Sequence, residues 1–86
     1  MATRKPIKSM KDGMGKVVRL GDVVRWRDLE SQQHFNNSGQ VVDFYSWSDE
    51  TYFIVWSPDE QSRHKLPFNV RKMSDTDAML WKLENL

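Results

Sequence analysis

One phrase occurs twice in this chain: Gly21-Asp22-Val23-Val24-Arg25-Trp26 and Gly39-Gln40-Val41-Val42-Asp43-Phe44. Each is a glycine, a polar residue, two valines, a charge and an aromatic. β-branched and aromatic residues suit a pleated backbone, and the glycine in front supplies a turn that other residues resist. A third run, Tyr52-Phe53-Ile54-Val55-Trp56, follows the turn-like Ser48-Asp49-Glu50. The pattern predicts one small, mainly β domain of short, strongly bent strands.

With 86 residues, a chain buries only roughly 60 to 65% of the surface its unfolded form exposes. Cysteine is absent, so neither disulfides nor thiolate-bound metal can reinforce the fold. Four Trp, four Phe and two Tyr must therefore carry the core. No run approaches the roughly 18 apolar residues that cross a bilayer, and no apolar signal segment follows the basic start. A soluble, cytoplasmic protein with no membrane partner is the expectation.

The net charge of +1 conceals a division. Residues 1–27 hold eight Lys and Arg against two Asp, a net +6, whereas residues 28–86 hold five bases against ten acids, a net −5. Opposite poles steer a polyanion to one end and a basic partner to the other. Residues 1–16 show no helical or strand period and read as a flexible basic arm. Order is expected from Lys16 or Val17, with a lead-in strand at Val17-Val18-Arg19-Leu20, a first main strand from Asp22 to Asp28, and a polar loop from Leu29 to Ser38.

The second strand, Gly39 to Trp47, alternates so that Val42 and Phe44 share one face and Val41, Tyr45 and Trp47 the other. In the third, Phe53 and Val55 oppose Tyr52, Ile54 and Trp56. Strands apolar on both sides need cover on both sides. Ser57-Pro58-Asp59-Glu60 reads as a turn, Gln61 to Leu66 as strand four, Pro67-Phe68-Asn69 as a tight turn and Val70 to Met73 as the closing strand. Ser74 opens a helix over 74–86 through a Ser-x-x-Asp cap, with Asp75 and Asp77 in its first turn. Its stripe of Met79, Leu80 and Leu83, with Trp81 as anchor, is expected to cover the spare aromatic face.

Five short strands, a long first loop and a one-turn break before the last strand resemble the SH3-like barrel. The resemblance covers residues 17–73 and rests on Gly21-Asp22-Val23-Val24, Gly39-Gln40-Val41-Val42 and Pro67-Phe68-Asn69-Val70. It implies a five-stranded SH3-like barrel flanked by the basic arm and the C-terminal helix. The chain is similar in part to KOW elements, with Gly-Asp-x-Val before the strand and Gly39-x-Val41 after the loop, although the intervening glycines are missing between Asp28 and Ser38. The Ala-Leu-Tyr start of proline-binding SH3 domains is also missing, so polyproline is not the expected ligand. A Tudor-like comparison would group Tyr45, Trp47, Tyr52 and Trp56 as a cage for a methylated amine.

Catalytic and cofactor patterns are sparse. His34 and His64 lie in separate segments without a second ligand at metal-binding spacing. Gly13-Met14-Gly15-Lys16 lacks the spacing of a phosphate-cradling loop, and no strained nucleophile turn surrounds a serine. A protein that is not an enzyme and uses no metal or cofactor is expected. The leading reading is a nucleic-acid-binding module, or a regulator of a transcription or replication complex. Arg4, Lys5, Lys8, Lys11, Lys16, Arg19, Arg25 and Arg27 would meet phosphates, with Phe35, Tyr45, Trp47 and Trp56 as aromatic contacts. On strand one, Arg25 and Arg27 would share an outward face, with Asp43 as a cross-strand partner. The alternative is an accessory subunit that docks on a larger protein assembly, similar to small phage-encoded barrels, as a monomer or weak homo-oligomer.

Overall fold

The computed structural model describes residues 7–58 and 62–86. The expectations for Arg4 and Lys5, and for the Asp59-Glu60 turn, lie outside the described residues. The elements are β1 (Ser9–Lys11), β2 (Val17–Arg19), β3 (Val23–Trp26), β4 (Asn37–Trp47), β5 (Glu50–Trp56), β6 (Arg63–Lys65), a single 3-10 turn (Pro67–Asn69), β7 (Val70–Lys72) and α1 (Asp75–Asn85). The protein is mainly β, with a five-stranded antiparallel sheet in the order β6-β5-β4-β3-β7 and a separate two-stranded ribbon, β1-β2. The last strand returns to pair beside the first of the five, Trp26 opposite Val70 and Val24 opposite Lys72.

The ribbon corrects the expectation that order begins at Lys16 or Val17. Ser9 pairs with Arg19, Met10 with Val18 and Lys11 with Val17. Val18 is completely buried, and Ile7 and Met10 pack around the cluster it joins. Alternation was hard to see here because a three-residue strand presents only one inward side chain, Met10. Gly21 then turns the chain at a φ of 89°, in the region that favours glycine, and its N–H donates to the Val41 carbonyl at 2.8 Å.

Successive residues of β3 point to opposite sides and both sides are covered. Val24 and Trp26 join Val18, Val41, Phe44, Phe53, Val55 and Val70 in the larger core. Val23 faces the other way, toward Met73 and Trp81, with Trp56 and Ala78 packed beside them. Ribbon, sheet and helix thus form three layers, and burying each such side chain stabilises the fold by roughly 1.5–3 kcal/mol. Gly39 lies inside β4, opposite Val24, and not at the turn expected before the strand; it is required for space, since a Cβ there would collide with the Trp56 carbonyl oxygen and the indole of Trp26.

In β4 the expected alternation fails, for a definite reason. The register against β5 slips between Val41 and Asp43, a β-bulge that accommodates one extra residue. Val41 and Phe44, three positions apart, are consequently both buried, whereas Val42 is 46% exposed. The pairing of Val42 with Phe44 on one face is therefore overturned, because a one-residue slip inverts every side chain beyond it. Tyr45 and Trp47 do point away from Phe44, as expected, but Val41 does not accompany them.

Ser74 caps α1 as the sequence suggests, its Oγ accepting from the Asp77 N–H at 3.2 Å. Trp81 is the anchor: it is buried, and its Nε1 donates to Ser38 Oγ at 3.1 Å. The stripe of Met79, Leu80 and Leu83 is a correction, since all three are more than half exposed. At 3.6 residues per turn, seating Trp81 against the sheet swings Met79 and Leu83, two positions away, to the far side of the helix and leaves Leu80, one position away, on its flank. The helix also reaches only Trp56 of the aromatic face, leaving Tyr45 and Trp47 uncovered. Among the described residues, no helix is long and apolar enough to cross a membrane.

Candidate functional site

Four of the cations singled out in the sequence meet on the ribbon. Lys8, Lys11, Lys16 and Arg19 are all exposed, and among the described residues none of their side chains has an ion-pair partner. The pairing explains their grouping. Met10 and Val18 form one cross-strand pair and turn inward, so Lys11 and Arg19, in the flanking pairs, are left outward as diagonal neighbours. Such diagonals place Cβ atoms roughly 7–8 Å apart. Lys8 and Lys16 lie just beyond the strand ends, two positions from the inward Met10 and Val18, and are exposed at opposite ends of the ribbon rather than on the Lys11–Arg19 face.

The one acid between Ile7 and Leu20, Asp12, is turned away from this surface. Asp12 is 6% exposed. Its Oδ1 accepts from the N–H groups of Met14 at 2.8 Å and Lys16 at 2.9 Å, which closes the ribbon turn. Its Oδ2 accepts from the N–H of Lys72 at 2.7 Å, which ties that turn to β7. The carboxylate thus fixes the position of the cations without pairing with them.

Arg25 and Arg27 stand apart from the ribbon. Arg25 lies on the Val23 side of β3, the helix side, and its guanidinium is 3.7 Å from Asp77 Oδ2 of α1. This replaces the expected partner Asp43; the residues opposite Arg25 are Ser38 and Arg71. Arg27 is engaged within the protein: Nε donates to Asn69 Oδ1 at 3.1 Å and Nη1 to the Gln32 carbonyl at 2.9 Å. Its guanidinium also lies over the rings of Phe35 at 4.8 Å and Phe68 at 5.1 Å. Phe35, an expected aromatic contact, is thereby held by Arg27 on one hand and Arg71, at 4.6 Å, on the other.

The remaining aromatic candidates separate. Trp56 is half-buried beside α1, whereas Tyr45 and Trp47 are exposed on the outer face of the β4-β5 hairpin. There His64 stands edge-on to Tyr45, ring centroids 5.2 Å apart, and to Tyr52 at 6.2 Å. The Tyr52 hydroxyl donates to Glu50 Oε2 at 2.6 Å, and this bond holds the phenol above its ordinary pKa. On the same edge strand but the other face, Lys65 Nζ donates to Asp28 Oδ1 at 2.7 Å and holds that carboxyl below its ordinary value.

Arg71 joins these groups without a marker in the sequence. It packs against Gly13 at the ribbon turn while its Nη1 donates to the carbonyls of Phe68 and Val70 at 2.9 Å each. No local signal marks it, since the ribbon and β7 lie at opposite ends of the chain. Among the described residues, two clefts beside α1 measure about 230 and 240 Å³, below the roughly 300 Å³ at which small-molecule pockets begin. Among the described residues, no three His, Asp or Glu side chains gather closely enough to hold a metal ion.

No protein-family model matches the chain, and neither does any curated protein or solved structure.

Proposed function

We propose that this protein is a non-catalytic nucleic-acid-binding module whose phosphate-contacting surface is the β1-β2 ribbon. The observation that carries the reading is the assembly of Lys8, Lys11, Lys16 and Arg19 on one exposed ribbon whose single acid is buried and bound by backbone N–H groups. Unpaired exposed cations release counterions when they meet a phosphate backbone, and a two-stranded ribbon is narrow enough to enter a major groove. The five-stranded sheet beneath is read as an SH3-like barrel. In support, β7 closes back onto β3, the bulge bends β4, and the single 3-10 turn Pro67–Asn69 separates β6 from β7.

Anisotropy titrations of labelled single-stranded DNA, duplex DNA and RNA at several salt concentrations test this. Binding should weaken steeply with salt. Replacing Lys8, Lys11, Lys16 and Arg19 together by Gln should lower the slope of log K against log salt by about 3. Absence of binding to all three at low salt would overturn the reading.

A second reading, docking on a protein assembly, is favoured by Met79, Leu80 and Leu83 of α1 and Leu86 at its C-cap, which are 53–75% exposed. Under that reading Leu83→Asp abolishes association and the ribbon substitutions do not.

A further inference from the structure

The outer face of the β4-β5 hairpin has the opposite character to the ribbon. Three cross-strand pairs lie on it: Asp43 with Ile54, Tyr45 with Tyr52, and Trp47 with Glu50. Phe44, Phe53 and Val55 point the other way into the core. Trp47 is 65% and Tyr45 39% exposed, so this is a flat aromatic platform rather than a recess. Carboxylates stand at its diagonal corners, Asp43 at one and Glu50 at the other, with Asp49 in the adjoining turn.

Bases are excluded from it by the strand pattern. Neither β4 nor β5 contains a Lys or Arg. On β6, His64 sits opposite Ile54, whereas Arg63 and Lys65 sit opposite the inward-facing Val55 and Phe53. The one titratable base on the platform, among the described residues, is therefore His64, which braces the two tyrosine rings. A phosphate backbone would be repelled here.

We propose that this platform binds an arginine-rich, extended segment of a protein partner. Charge complementarity identifies the occupant. Arginine alone among side chains combines a planar face that stacks on exposed aromatic rings with a fork that matches a carboxylate. Tyr45 and Trp47 are two residues apart on β4, a separation of roughly 6.6 Å. Alternate residues of an extended peptide repeat at the same distance, so guanidiniums at every second position meet successive rings. Glu50 is presented with Oε2 held by the Tyr52 hydroxyl. The protein already uses the same chemistry internally, where Arg27 and Arg71 stack on Phe35.

The test uses the full chain and a capped (Arg-Ser)4 peptide, followed by tryptophan fluorescence and by the amide and indole NMR resonances. A capped (Glu-Ser)4 peptide of equal length is the control. The (Arg-Ser)4 peptide should bind, shift the Trp47 indole and the amides of Asp43 to Tyr52, and be displaced by salt, while the control leaves them unmoved. Trp47→Ala, whose side chain is largely exposed and outside the core, should weaken binding about five- to tenfold. The paired Asp43→Asn and Glu50→Gln substitutions should weaken it at least as much, and far-UV circular dichroism should show both variants folded. The fourfold ribbon variant should bind the peptide as the parent does, so a failure of the nucleic-acid reading is scored separately. Three results would overturn the proposal: no indole shift at millimolar peptide, equal shifts with the (Glu-Ser)4 peptide, or unchanged affinity in both sets of variants. Concentration-dependent self-association through this face, in place of peptide binding, would overturn it too by making a second copy the occupant.

Discussion

Asp12 shows how much one side chain can organise. It is buried at the tip of the ribbon and accepts three backbone hydrogen bonds, two from its own turn and one from β7. Bonds to an ionised acceptor are stronger than neutral ones, and removing the acceptor leaves the N–H groups of Met14, Lys16 and Lys72 without it. Asp12→Ala should therefore cost about 2–4 kcal/mol, measured by urea denaturation, and should also weaken nucleic-acid binding by loosening the ribbon. A surface acid such as Glu30, replaced in the same way, should change stability by less than about 0.5 kcal/mol. The sequence does not distinguish these two acids. The decisive partner of Asp12, the Lys72 N–H, is sixty residues away and comes into reach only when β7 docks.

At the scale of the element, β4 and the turn after it depart furthest from a regular pattern. The bulge after Val41 turns a strand that reads as two-faced into one whose core side is consistent, Val41 and Phe44 inward and Tyr45 and Trp47 outward. A period-2 reading misses it because an inserted residue is visible only against the partner strand. The hairpin then closes between Trp47 and Glu50 through Ser48 and Asp49, with Ser48 at a φ of 55°. A side chain in this left-handed region costs roughly 1 kcal/mol that glycine avoids. Ser48→Gly should raise stability by about 0.5–1 kcal/mol, seen as a higher Tm, with the Tyr45 and Trp47 resonances unshifted. A fall in Tm would show that the Ser48 side chain supports the turn in another way. The helix was legible in its start, because the Ser74 cap is local, but not in its orientation, which the contact with Ser38 sets.

For the whole molecule, β3 is the common member of both cores, giving Val24 and Trp26 to one and Val23 to the other. Packing on the two sides of one four-residue strand couples the layers. Trp81→Ala should thus lower the single unfolding transition by about 3 kcal/mol rather than melt the helix alone. Circular dichroism in the far and near ultraviolet should move together; a separate early loss of helical signal would refute the coupling. Charge is also organised at this scale. The basic segment, residues 1–27, supplies the ribbon, and the acidic remainder supplies Asp43, Asp49 and Glu50 around an aromatic face. The two proposed surfaces therefore attract partners of opposite sign.

Legible in the order of residues alone are the mainly β class, the turn at Gly21, the grouping of Phe53 with Val55 on one face, the cap at Ser74 and the anchor at Trp81. Each of these follows from backbone preference or from side-chain period within a few residues. The separation of charge is legible too, from the positions of the charged residues along the chain. Long-range packing sets the rest: Ser9–Lys11 pairs into a ribbon, Arg27 is engaged with Asn69 and Phe68 while Lys11 and Arg19 remain outward, and α1 leaves Tyr45 and Trp47 uncovered. These outcomes depend on which distant segment lies opposite each residue. Local propensity carries no information about such pairings, and a single bulge or helix rotation is enough to reverse them.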